Sequence, residues 1–105
     1  MSTEKKGLEQ GDVATKERTR LKKPRNYKVL LHNDDFTTQE FVVLVLMRFF
    51  RKTQTEATQI MLQVHHEGVG VCGVFTHEVA ELKVAQVSEF ARDNGYPLKC
   101  TMEPE

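Results

Sequence analysis

Residues 27–46 read YKVLLHNDDFTTQEFVVLVL, and a change of period inside them decides the fold. Up to His32 the pattern is that of a strand, Asn26 to His32, with Tyr27, Val29 and Leu31 on one face. From about Thr38 to Arg51 it is that of a helix. Thr37-Thr38-Gln39-Glu40 fits a capping box with Thr37 as N-cap and Glu40 three positions on. The body, Phe41 to Phe50, is apolar except for Arg48, so this helix must be buried on more than one face or covered by a partner. Between the two periods lies His32-Asn33-Asp34-Asp35-Phe36. An Asn and two carboxylates at a strand-to-helix corner supply an amide and acceptor-rich side chains, which by local pattern favours a capped turn, and only the surroundings can make it a binding site.

Downstream, Thr53-Gln54-Thr55-Glu56 repeats the helix-start signature and Gly68 ends the second helix. Met61, Val64 and His65 share a face of it with Ala57 and Ile60, while His66, about 100° round, points to solvent. A histidine on an apolar face reads either as a satisfied core residue or as a functional group. Val69 to Phe75 forms a second strand whose glycines permit a bulge or a close backbone approach. Thr76 caps a third helix, His77 to Asp93, with Val79, Ala80, Val84, Val87, Phe90 and Ala91 on its inner stripe and Glu78, Glu81 and Lys83 at or near solvent. Asn94-Gly95 stops it, and Tyr96 to Met102 is the last strand, with Pro97 favouring a strand start. The order β-α-α-β-α-β predicts an α+β fold: a small α/β sandwich, three antiparallel strands covered on one side by three helices.

With 105 residues, 39% apolar and 29% charged, the chain suits one globular domain. No run reaches the roughly 18 apolar residues of a membrane span and no apolar signal-peptide centre occurs, so a cytoplasmic protein is expected. The zero net charge hides an asymmetry. Residues 1–25 carry eight Lys/Arg against four Asp/Glu, leaving seven against eleven for residues 26–105. Residues 1–25 have few large aliphatic side chains and no period, so they are expected to be a disordered extension before a core domain at 26–105. Their basic run, TKERTRLKKPR, contains no aromatic for base stacking, which argues against nucleic acid. Cys72 and Cys100 lack ligand or redox spacing and read as buried thiols.

Catalysis and metal binding find little support. His32, Asp34, Asp35 and His65 could in principle ligate a cation or exchange protons, but no recognised spacing joins them, and neither Cys72 nor Ser88 has an evident general base. No cofactor or metal is expected. A cationic ligand fits better: Asn33, Asp34 and a neutral His65 can accept bonds from an ammonium, with Met61 and Val64 as an apolar wall. That combination suits an amino group with a hydrophobic side chain beside it.

The blocks quoted above, together with ATQIMLQVHHEGVGVCGVFTHEVAELKVAQV (residues 57–87) and PLKCTMEPE (97–105), closely resemble the ClpS family of adaptor proteins across residues 24–103. NDDFT and VCGVFT-x-EVAE-x-K together are highly specific to it. The resemblance implies the sandwich already inferred, no enzymatic activity, and a monomeric adaptor that carries proteins with N-terminal Leu, Phe, Tyr or Trp to the ClpA unfoldase of the ClpAP protease. It makes Asn33, Asp34 and His65 the binders of the substrate's α-amino group and first peptide, with Asp35 in the same corner. Thr37, Val42, Met61, Val64 and Leu98 become the walls of the side-chain pocket. Phe36, Glu78 and Lys83 match the surface that meets the N-terminal domain of the unfoldase, and residues 1–25 match an extension engaged during hand-over. Where many members have Pro-Met, this chain has Thr38-Gln39, and the Met acts as a pocket gatekeeper. Gln39 carries an amide that is costly to bury unpaired, so an altered ranking of first residues is expected. The alternative is an interaction module on the same fold that modulates an unfoldase without an N-terminal-residue pocket.

Overall fold

In the computed structural model, which describes residues 25–105, β1 (Asn26–His32) is the middle strand of a three-stranded sheet. The expected disorder of the N-terminal extension falls outside the described residues but for Arg25. α1 (Gln39–Phe50), α2 (Gln54–Glu67), β2 (Val69–Thr76), α3 (His77–Asp93) and β3 (Lys99–Pro104) follow, giving the expected α+β order. Both outer strands pair with β1 antiparallel, in the order β2-β1-β3. Alternation along β1 sends Val29 and Leu31 fully into the core, with Tyr27 packed at its edge. The opposite side carries Lys28, His32, Thr101 and Glu103, with His32 and Thr101 in hydrogen-bond contact at 2.7 Å and a Lys28–Glu103 ion pair at 3.4 Å. Each large aliphatic side chain fully buried this way contributes about 1.5–3 kcal/mol.

The bulge allowed by the glycines falls at Cys72. Val29 pairs with Gly73 and Leu30 with Val71, so Cys72 is the extra residue, and it lies in the core. Burial pushes the Cys72 thiol up, helped by the neighbouring Cys100, and raises Cys100 to about 12, so both remain protonated and unreactive.

α1 is wedged between α2 and α3, which is why so little of it is polar. Phe41 stacks on Phe90 at 5.4 Å and packs tilted against Tyr96 at 4.4 Å between ring centroids, fixing α1 to α3 and to the loop after it. Three expectations need correction. The N-cap of α1 is Thr38, whose hydroxyl accepts the Phe41 N–H, so Glu40 sits one position too early for a capping box; Thr53 and Glu56 do form one on α2. Val79 is 40% exposed, outside the stripe of Ala80, Val87 and Ala91, because it lies 100° round from Ala80. β3 starts at Lys99 and runs to Pro104, since the Tyr96 N–H closes the end of α3 onto the Ala91 carbonyl and Pro97 has no N–H to pair.

Candidate functional site

One backbone bond assembles the site. Gly68 ends α2 in the left-handed conformation (φ 89°), its N–H bonding the Val64 carbonyl. Its own carbonyl then accepts the Asn33 N–H at 2.9 Å, which ties the end of β1 to the end of α2 and sets Asn33 beside His65. The cavity between them, of about 330 Å³, is lined by the corner residues Asn33, Asp34, Asp35 and Thr37, by Thr38, Gln39 and Val42 of α1 and its cap, and by Met61, Val64 and His65 of α2. This volume is at the lower end of small-ligand sites. Val42, Met61 and Val64 are buried and form the apolar part; Asn33, Asp35 and His65 are exposed at the mouth.

The two carboxylates have different employment. Asp34 Oδ1 accepts the N–H groups of Phe36 (2.8 Å) and Thr37 (2.7 Å), and its Oδ2 accepts the Thr37 hydroxyl (2.7 Å). Partial burial works to raise the Asp34 pKa, but the Thr37 hydroxyl and the two N–H groups outweigh it and hold the carboxyl below its ordinary value. Most of the acceptor capacity of Asp34 is thus spent inside the corner. Asp35, Asn33 and His65 line the cavity and make no side-chain hydrogen bond to another described residue, so among the described residues their acceptors are unpaired. His65 is therefore not a satisfied core histidine. An amide oxygen, a carboxylate and an imidazole nitrogen around an apolar cleft can hold a primary ammonium whose substituent is buried.

Nine of the ten residues read from sequence as substrate-binding line this cavity. Leu98 does not; it is 6% exposed and belongs to the core. Thr38 lines the cavity and was not singled out, because the sequence gives no way to choose which of two adjacent threonines caps the helix. Among the described residues no group of His, Cys, Asp and Glu side chains is arranged to hold a metal ion.

The three candidate partner-binding residues are not brought together. β1 pairs Asn26 with Thr76, so Glu78 lies at that end of the sheet, while Phe36 follows His32 at the other, roughly 20 Å away along a seven-residue strand. Phe36 is 77% exposed and Glu78 is exposed. Lys83 is half-buried: its ammonium donates to the Phe49 carbonyl at 2.8 Å, at the C-terminal end of α1, and lies 6.0 and 5.9 Å from the ring centres of Phe50 and Phe75. It is a cross-helix cap as well as a surface charge.

Comparison with known proteins agrees with this fold. The family model described as ATP-dependent Clp protease adaptor protein ClpS matches residues 22–101. An ATP-dependent Clp protease adapter protein ClpS from Desulfatibacillum aliphaticivorans is 59% identical over 95 residues, 90% of this chain and 91% of that one. One from Gluconobacter oxydans is 64% identical over 84 residues, 80% of this chain and 71% of that one. The solved structure of Agrobacterium tumefaciens ClpS2 bound to L-phenylalaninamide superposes with a TM-score of 0.77 at 37% identity, covering 79% of this chain and all of that one. The chain belongs to the ClpS family. It is an adaptor of the Clp protease rather than an enzyme, and no helix among the described residues is long and apolar enough to cross a membrane.

Proposed function

We propose that the cleft binds the first residue of a polypeptide whose start carries Leu, Phe, Tyr or Trp, and that this protein delivers such substrates to the ClpA unfoldase of the ClpAP protease. The observation that carries the reading is the set of unpaired acceptors on Asn33, Asp35 and His65 at the mouth of an apolar cavity. The ammonium sits among these three, with Asp34 holding the corner and giving any acceptor capacity it has left. The side chain enters between Thr37, Val42, Met61 and Val64, over a floor that Leu98 supports from the core, and Gln39 stands at the rim. The Agrobacterium relative's ligand has this chemistry: a primary amine, an aromatic side chain and one amide.

Magnitudes explain why both ends must be read. A bond to a charged group contributes about 1.5–3 kcal/mol and burial of a large apolar side chain about 1.5–3, while micromolar affinity requires about 8. Either feature alone falls short, so a bulky residue inside a chain is refused. Phe36 and Glu78 are candidates for meeting the N-terminal domain of ClpA. A partner face of ordinary size, about 800 Å², is roughly 30 Å across and can reach both. Residues 26–105 act as the recognition domain of a cytoplasmic monomer, with residues 1–25 as an extension used in hand-over. The test is a binding titration with Phe-initiated peptides that differ only at the α-amino group. Acetylation removes a charge and donors, and affinity should fall about tenfold or more; equal affinity for the free and acetylated forms excludes this pocket.

A further inference from the structure

The concave surface does not end at Gln39 and Met61. Both also line a second cavity of about 260 Å³, shared with Glu40 and Val43 of α1 and Gln54 and Thr58 of α2. Gln54 and Thr58 in turn line a third depression with Thr55 and Gln59. The first two lie along the α1–α2 seam and the third on α2 alone; they share side chains in sequence, so they form one track from Asn33 and His65 toward the start of α2. Its length follows from helix geometry. Met61 and Gln54 are seven residues apart on α2, about 10 Å at 1.5 Å per residue, which an extended chain covers with about three residues.

The lining of this stretch differs from that of the first cavity. Gln39, Gln54 and Gln59 each present an amide donor and acceptor, and Thr55 and Thr58 a hydroxyl that does both, beside Val43 and Met61. None of these polar side chains bonds to another described residue. A row of amides and hydroxyls can satisfy the N–H and C=O groups of an extended backbone whatever its side chains are. A pocket for a long first side chain would want the reverse, an apolar lining continuing past Met61.

Resting on the function proposed above, we propose that this track holds the main chain of substrate residues two to four in extended form, with Gln39 and Gln54 as its hydrogen-bonding partners and Thr58 at its midpoint. The adaptor then reads a short unstructured start rather than a single residue, and a folded protein whose second to fourth residues are locked in its own structure is refused even when its first residue fits.

The experiment compares phenylalaninamide with Phe-initiated, C-amidated peptides of two to six residues having small uncharged side chains after the first. Affinities are measured by calorimetry on the full chain and on Gln54→Ala and Thr58→Arg variants whose folding is checked by circular dichroism. Affinity should rise about tenfold between one residue and four, the worth of one or two backbone hydrogen bonds, and level off beyond. Thr58→Arg should remove most of that gain and Gln54→Ala part of it, with phenylalaninamide affected less than about twofold. Amide signals of Gln54 and Thr58 should shift with the tetrapeptide and not with phenylalaninamide. A length series that is flat, or that rises equally in all three proteins, overturns the track while leaving the first-residue site standing. Failure of the unaltered protein to bind phenylalaninamide or any peptide of the series overturns the underlying site, and the track with it.

Discussion

Replacing Asp34 by Ala removes three contacts at once: the Phe36 and Thr37 N–H groups lose their shared acceptor, and the Thr37 hydroxyl loses its own. Each such bond is worth about 0.5–1.5 kcal/mol net, and bonds on one half-exposed carboxylate fall toward the low end because water can replace it and they are not independent. A total loss of about 2 kcal/mol follows, or about 8–15 °C in Tm for a folded part of this size. Asp35→Ala should behave oppositely. Its side chain bonds to no described residue, so stability should stay within about 0.5 kcal/mol of the parent, while affinity for a Phe-initiated peptide falls tenfold or more. Asp34→Ala should weaken binding too, by loosening the corner that presents Asn33 and Asp35. The pH dependence separates the two further. The Asp34 carboxyl is held below its ordinary value in the folded state, so its contribution is present above the unfolded value, about 3.9, and is lost as pH falls through the lower folded value. The Tm gap between the parent and Asp34→Ala should be constant from pH 7 to about 5 and narrow below about 4. Thermal melts at several pH values, with fluorescence anisotropy for binding, measure all of this. Equal melting of Asp34→Ala and the parent, or equal destabilisation by the two variants, would refute the division of labour between the carboxylates.

Lys83→Met keeps the aliphatic stem but removes the donor to the Phe49 carbonyl, and should cost about 1 kcal/mol, read as a 4–8 °C lower Tm; an unchanged Tm would leave Lys83 as a surface charge alone. Gly73→Ala places a Cβ at 2.8–2.9 Å from the Phe75 ring, forcing the ring off Gly73 at about 1–3 kcal/mol, and a chemical denaturation midpoint equal to the parent's would show that the ring has room to move. Gln39→Met replaces an amide at the cavity rim by an apolar thioether, and should change the ranking of Leu, Phe, Tyr, Trp and Ile among first residues; an identical ranking across a peptide panel removes Gln39 from specificity.

Nine of the ten residues that the resemblance to the ClpS family nominated line the cavity, while the sequence by itself determined the element order, the inner face of β1 and the limits of α2 and α3 to within about a residue. Local rules suffice there, because a period, a capping box or a glycine stop acts within one or two turns of chain. The tertiary structure decided what depends on competition between neighbours or on distant packing. Thr37 and Thr38 are equally good caps on paper, and only the claim of Asp34 on the Thr37 hydroxyl passes the cap to Thr38. Asp34 and Asp35 are the same residue type one position apart, and the fold of the corner spends one and leaves the other open. Lys83 looks like a plain surface lysine until α1 brings the Phe49 carbonyl to its ammonium, and Leu98 is withdrawn from the cavity into the core. Side-chain partnership is a property of three-dimensional proximity, to which periodicity along the chain is blind.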